Sequence, residues 1–223
     1  MSEDVVPSEV TDLAGLIGPE PDEIIRAMED HADDEDFPTV GPAVGAWLSV
    51  LARTTDAERI FEFGSGFGYS AYWFARGMEA GEIVLTEVDA DELDQAESYF
   101  ERAGIADRAR FEYGDAIDIV ERYDGPFDIV LIDNEKQRYE EALRAVEDKL
   151  RPGSLVLADN AITAGVIDRE DVIALLRGED VPTATEASRG IAAYLEYVRT
   201  HDRFETSLLP AGEGVAVSVV TDS

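Results

Sequence analysis

The chain has 223 residues, of which 45% are hydrophobic, with no cysteine and a formal net charge of −32. The length suits one α/β domain with a real core, and the lack of cysteine excludes disulfides, thiolate nucleophiles and cysteine metal sites. The charge opposes nucleic-acid phosphates and anionic membranes, so neither is expected as a partner.

No apolar run approaches the roughly 18 residues of a membrane span. Met1-Ser2-Glu3-Asp4 lacks the basic and apolar parts of a signal peptide, so a cytoplasmic protein is expected. Acidic residues are spread along the whole chain, and of the 18 basic residues only Lys136 and Lys149 are lysine. That balance suggests a high-salt cytoplasm, where a Debye length of about 3 Å screens self-repulsion. An ordinary acidic enzyme of a low-salt cell is the alternative.

Residues 8–55 read as helices. Ser8 can cap a first one that stops at Gly18. Asp22 to Asp33 follow Pro21, with Ile24, Ile25 and Met28 on one face. Asp33-Asp34-Glu35-Asp36 reads as a solvated acidic end. Ala43 to Arg53 is a third helix, with Val44, Trp47, Leu48 and Leu51 inward. From residue 58 strands and helices alternate. Strands are expected at Arg59–Phe63, Glu82–Glu87, Ala109–Tyr113, Phe127–Ile132 and Ser154–Ala158, the last entered through a Pro152-Gly153 turn. Helices are expected at Gly68–Gly77, Ala90–Ala103, Ala116–Arg122, Arg138–Leu150, Arg169–Arg177 and Arg189–Thr200. Phe204–Leu209 and Val215–Thr221 close the chain as a hairpin. This order implies a mostly parallel seven-stranded sheet with helices on both faces. One domain, 1–223, is expected, with a helical N-terminal extension (1–55) on an α/β core (56–223).

The first strand leads into Gly64, Gly66 and Gly68. Glycine permits positive φ and close approach of a ligand, and the next helix offers unpaired N–H groups. A dinucleotide fingerprint would need a third glycine at residue 69, which is Tyr69, so a nicotinamide dehydrogenase is disfavoured. The pattern from Glu62 through Gly64, Gly66 and Gly68 resembles motif I of S-adenosylmethionine (SAM)-dependent methyltransferases. A glycine turn without a ligand is the plain alternative. Ligands of open α/β sheets lie at the carboxyl ends of the strands. Glu87, Asp115, Asp133 and Asp159-Asn160 all fall there. Glu87 suits a ribose diol, with Asp89 as its near competitor. Asp115 suits an adenine amino group, and Ser70 the carboxylate of an amino-acid tail. Such a ligand is SAM or its demethylated product. Asp133, Asp159 and Asn160 offer hard oxygen donors, which suit Mg²⁺, Mn²⁺ or Ca²⁺ and disfavour zinc. Asp159-Asn160 as a turn or cap is the alternative. Lys136 is a candidate base, or else a solvent-facing lysine. His31 and His201 read as surface residues; Tyr72, Trp73, Trp47 and Tyr139 read as core or pocket wall.

Phe127-Asp128-Ile129-Val130-Leu131-Ile132-Asp133-Asn134-Glu135-Lys136-Gln137-Arg138-Tyr139 resembles the "FDxxFIDADKxxY" block of the cation-dependent O-methyltransferases, the catechol and caffeoyl-CoA type. Leu150 to Asn160 resembles their "LRPGGLIVxDN" block, and Leu209 to Val215 their closing "LPxGDG" hairpin. The resemblance implies a Rossmann-like SAM-dependent methyltransferase fold and a commonly dimeric enzyme. It implies that Glu62, Gly64, Gly66, Gly68, Ser70, Glu87, Asp115 and Asp133 bind the donor. Asp133, Asp159 and Asn160 would hold a divalent cation, and Lys136 would take the acceptor proton. The expected function is metal-dependent methyl transfer from SAM to a hydroxyl of a small catechol-like or phenolic acceptor. A metal-independent methyltransferase and a non-catalytic SAM-binding protein remain the alternatives. Two departures stand out. The family's "DADK" is Asp133-Asn134-Glu135-Lys136, and the tryptophan often found after Asp-Asn gives way to Ala161-Ile162-Thr163-Ala164-Gly165, in the loop that shapes the family's acceptor pocket.

Overall fold

A computed structural model of the chain describes residues 6–222. Met1 to Asp4, on which the targeting expectation rests, lie outside the described residues. The strands are β1 (Arg59–Phe63), β2 (Glu82–Glu87), β3 (Ala109–Tyr113), β4 (Phe127–Ile132), β5 (Leu150–Ala158), β6 (Phe204–Leu209) and β7 (Val215–Val220). They form one sheet in the order β3-β2-β1-β4-β5-β7-β6. β1 to β5 pair in parallel, and β7 runs antiparallel between β5 and β6.

The helices are α1 (Ser8–Ile17), α2 (Glu23–Glu35), α3 (Gly41–Thr54), α4 (Tyr69–Gly77), α5 (Ala90–Arg102), α6 (Ala116–Val120), α7 (Tyr139–Val146), α8 (Arg169–Leu176) and α9 (Glu186–Thr200). Successive strand side chains point to opposite faces. Ile60, Leu85, Ile129 and Leu157 therefore meet α2 to α5, while Phe61, Phe63, Val130 and Val156 meet α6 to α9. α2 and α3 contribute Ile25, Met28, Val44 and Leu48 to the first of these cores. Among the described residues no helix is long and apolar enough to cross a membrane.

Several local expectations are corrected. α1 starts after Pro7 in the cap position, and α2 starts after Asp22, whose Oδ1 accepts from the N–H of Ile24 and Ile25 at 3.0 Å. Trp47 is 45% exposed. The buried stripe of α3 is Val44, Gly45, Leu48, Ser49 and Ala52, the side that packs on α4, and Trp47 falls off its edge. α7 gives way after Val146 to a 3₁₀ turn, Glu147–Lys149. Pro152-Gly153 does not precede β5 but sits within it, as a bulge between the pairs Phe127–Leu150 and Ile129–Leu155. Ser154 Oγ closes the bulge, donating to the Phe127 carbonyl at 2.6 Å. His31 is half-buried, its ring 5.0 Å from that of Phe67. His201 is likewise half-buried, 3.3 Å from Glu147.

The rim opposite the candidate site is closed by Asp128, which accepts from the N–H groups of Glu58 and Arg59 at 2.9 Å each. α3 and α4 approach closely. A Cβ on Gly77 would lie 2.2 Å from the Ser49 carbonyl oxygen. Backbone cannot yield as a flexible side chain would, so the helices would have to part. Gly77→Ala should lower unfolding free energy by about 1–3 kcal/mol, read as a lower denaturant midpoint at unchanged m-value. An unmoved midpoint would show that α3 and α4 separate without cost.

Candidate active site

The glycine loop leaves β1 at the carboxyl end of the sheet. Gly64 and Gly66 have φ of +80° and +49°, a region that L side chains rarely adopt. At Gly64 a Cβ would also lie 2.8 Å from the Asp133 carbonyl oxygen. The loop thus lies directly against the end of β4, which a larger residue would forbid.

Two neighbouring cavities open here and share Gly64, Glu87 and Asp133. One, of about 430 Å³, is bordered by Gly66, Ser70, Lys136, Asp159 and Asn160, with Phe37, Pro38 and Val40 as part of its wall. The other, of about 360 Å³, is bordered by Gly114, Asp115, Asn134, Glu135 and Arg138. Of the expected residues, Gly64, Gly66, Ser70, Glu87, Asp133, Lys136, Asp159 and Asn160 meet at the first, and Asp115 at the second. Glu62 and Gly68 border neither. Gly68 packs under the loop, where a Cβ would lie 3.0 Å from that of Ala96. Glu62 is fully buried and accepts a hydrogen bond from Ser70 Oγ.

Glu87 reaches the cavity, whereas Asp89 caps α5 by accepting from Asp91 N–H at 2.9 Å. Glu87 Oε2 accepts from Gly66 N–H at 2.9 Å, and Oε1 from Val88 N–H at 2.7 Å. The carboxylate therefore fixes the loop as well as facing the cavity. Asp115 is held on both oxygens, by Ile117 N–H at 2.9 Å and by Arg138 at 2.8 Å. Burial raises its pKa, but these two bonds prevail and hold the carboxyl below its ordinary value.

Lys136 Nζ donates to Asp133 Oδ1 at 2.7 Å and to the Tyr139 hydroxyl at 2.8 Å. Burial pushes the Asp133 carboxyl up, and Lys136 only partly offsets it. Burial, then the nearby Asp133 charge, pushes Asp159 up to about 8. Asp159 Oδ1 is buried with no hydrogen-bond partner. Asn160 has φ +55°, and its Nδ2 donates to Glu213 Oε2.

Asp133, Asp159 and Asn160 fit a hard cation: each can offer oxygen, one buried Asp159 oxygen is unpartnered, and two carboxylates line one recess. The expected trio holds two carboxylates and an amide. Among the described residues no group of three or more His, Cys, Asp or Glu side chains is gathered as a metal cage.

Sequence reasoning missed Phe37, Arg138 and Glu213 as site residues. Arg138 stands two residues after Lys136 in the same block, so its position was available. Glu213 lies in the closing hairpin, where the pattern was visible without a role. Phe37 comes from the α2–α3 connection, and no local signal marks it.

A mostly parallel sheet with β7 inserted antiparallel, a glycine loop after β1 and acids at the following strand ends define a Rossmann-like methyltransferase fold. Solved structures agree. An O-methyltransferase from Bacillus cereus in complex with SAH superposes with a TM-score of 0.82 at 25% identity, covering 96% of this chain and 97% of that one. TomG from Streptomyces achromogenes, an O-methyltransferase involved in tomaymycin synthesis and solved with SAM, gives 0.82 at 25% identity over 100% of both chains. The chain belongs to the O-methyltransferase family, whose model matches residues 23–220. A catechol O-methyltransferase of Niastella koreensis is 33% identical over 174 residues, 74% of this chain and 78% of that protein. One of Mycobacterium tuberculosis is 31% identical over 170 residues, 73% and 76% respectively.

Burial pushes the Glu62 carboxyl up to about 8, with Asp133 and Glu87 adding to the effect and the Ser70 bond opposing it. Folding therefore favours protonated Glu62. Its stabilising contribution is complete below pH 4.5 and is lost as pH rises to about 8. Glu62→Gln keeps an acceptor for Ser70 and removes the titration. Its melting temperature should fall less than the parent's between pH 5 and 9. Parallel melting curves would show that Glu62 ionises without cost.

Proposed function

We propose that the protein is a SAM-dependent O-methyltransferase that uses a divalent cation and methylates a hydroxyl of a small catechol-like or phenolic acceptor. The observation that carries this reading is one shared cavity lining: Gly64, Gly66, Asp133, Lys136, Asp159 and Asn160 border the same cavity. The SAM- and SAH-bound structural neighbours support the donor, and the catechol O-methyltransferase relatives support the acceptor class.

In this reading the glycine loop admits the donor's amino-acid tail against backbone, with Ser70 at the start of α4 near its carboxylate. Glu87 receives the ribose hydroxyls and Asp115, braced by Arg138, the adenine amino group. When bound, SAM supplies a methyl group already activated by its sulfonium. One C–O bond forms as one C–S bond breaks, and SAH leaves. Asp133, Asp159 and Asn160 would hold the cation, which would lower the pKa of an acceptor hydroxyl. Lys136 takes the acceptor proton. To do so it must first lose one of its own to solvent, while Asp133 Oδ1 at 2.7 Å holds the amine in place. Tyr139, fully buried, holds the lysine ammonium through its hydroxyl. Orientation carries much of the rate enhancement, since the methyl group needs no further activation.

The Lys136–Asp133 pair also favours a second reading, because it neutralises one carboxylate without any metal. Methyl transfer from labelled SAM to a catechol and phenol panel, in molar KCl, separates the two. Chelation should stop transfer and Mg²⁺ should restore it. Transfer that survives exhaustive chelation would select the metal-independent enzyme. SAM binding without transfer to any acceptor would select a non-catalytic binding protein. The molar salt follows from the net charge of −32 with only two lysines. A homodimer belongs to the same reading, and the exposed Leu16 and Ile17 of α1, 82% and 81% accessible, suit a covered surface. Sedimentation at assay salt checks it.

Lys136→Ala should lower turnover by about 100-fold or more while SAM affinity by calorimetry barely moves. Normal turnover would remove Lys136 from the mechanism. Asp133→Ala combined with Asp159→Ala should abolish all EDTA-sensitive transfer.

A further inference from the structure

We propose that Glu213 is the positioning residue that turns the amide of Asn160 so that its oxygen serves the cation. This rests on the metal reading of the site. Asparagine has one donating and one accepting end, and only the oxygen can ligate a hard cation. Asn160 is buried just past the end of β5, so its amide is turned chiefly by the protein groups beside it. Glu213 makes the choice. An ionised carboxylate only accepts hydrogen bonds, and Glu213 Oε2 accepts from Asn160 Nδ2. The NH₂ end is thereby committed to the hairpin, and Oδ1 is left for the cavity that both residues border.

The hairpin is well anchored for this task. The Glu213 carbonyl accepts from Ile162 N–H at 3.2 Å and Thr163 N–H at 3.0 Å, and the Gly214 carbonyl accepts from Ala161 N–H at 2.7 Å. A Cβ on Gly214 would lie 2.3 Å from Ile162 Cγ1. Backbone contacts thus set the segment after Asn160, and the Glu213 side chain sets the amide itself. Replacing that side chain leaves the backbone bonds in place, so its role can be isolated. Glu213 is exposed at the cavity mouth, where substitution does not disturb the core.

Mn²⁺ titration of the full chain in molar KCl, followed by the electron paramagnetic resonance of free Mn²⁺, tests this without turnover. Glu213→Ala should weaken Mn²⁺ binding about 10-fold or more, the usual effect of losing a group that orients a ligand. Glu213→Gln, whose Oε1 still accepts from Nδ2, should bind nearly as the parent does. Adding Glu213→Ala to Asn160→Ala should cause no further loss. If Gln binds as weakly as Ala, the carboxylate acts by charge or as a ligand, and the orienting role is wrong. Unchanged binding by Glu213→Ala with a circular dichroism spectrum like the parent's would equally overturn it. Absence of Mn²⁺ binding by the parent would overturn the metal reading itself, and this inference with it.

Discussion

Asp133 and Asp159 share one recess with a single ammonium among the described residues, that of Lys136. Two carboxylates and one cation leave an excess negative charge, and burial makes that excess costly. The surrounding geometry is organised about this imbalance. Gly64 lets the loop approach the end of β4, Tyr139 receives the second bond of Lys136, and Asn160 adopts a left-handed backbone beside Asp159. A proton or a cation relieves the excess. The Lys136–Asp133 ion pair alone does not, because Asp159 Oδ1 is left without a partner.

The second organising element is the division of labour between the two rims of the sheet. Asp128 stands near the start of β4 and Asp133 just past its end, yet one ties β1 to β4 through two backbone N–H groups and the other faces a cavity. Identical side chains therefore hold backbone at the amino ends of the strands and line a cavity at the carboxyl ends. The same contrast holds within the glycine loop. Gly64 borders the cavity, whereas Gly68 is needed for packing against α5.

Much of this was legible in the sequence because it is local. Strand ends are marked by short apolar runs that stop at a polar residue, so Glu87, Asp133 and Asp159 could be assigned to one rim before any coordinates. The bounds of β1, β2, β3, β4 and β6 agree with the expectation residue for residue. What was not legible is set at long range. Glu213 meets Asn160 only because β7 returns antiparallel beside β5. Phe37 reaches the loop only because α2 and α3 pack on α4, which follows that loop, and its ring lies 5.1 Å from that of Phe67. Trp47 misled because an apolar residue in a helix suggests burial, while the buried stripe is decided by the neighbour it packs on. The bulge in β5 was hidden because Pro-Gly is ordinarily turn chemistry, and only the pairing with β4 shows that the strand continues through it.

The antiparallel β7 has a further consequence for how the protein comes into being. The half of the cleft built from the glycine loop, β2 and β4 consists of segments made early and joined by short parallel crossovers. The half that contains Glu213 waits for the β6–β7 hairpin, which follows all five parallel strands. During synthesis the glycine-loop side of the cleft can therefore organise first, and contacts between distant segments form last. A chain that stalls before the closing hairpin keeps its glycine loop but lacks the carboxylate that meets Asn160. The bond between Asn160 and Glu213 thus forms only once the β6–β7 hairpin has been made, after the parallel strands.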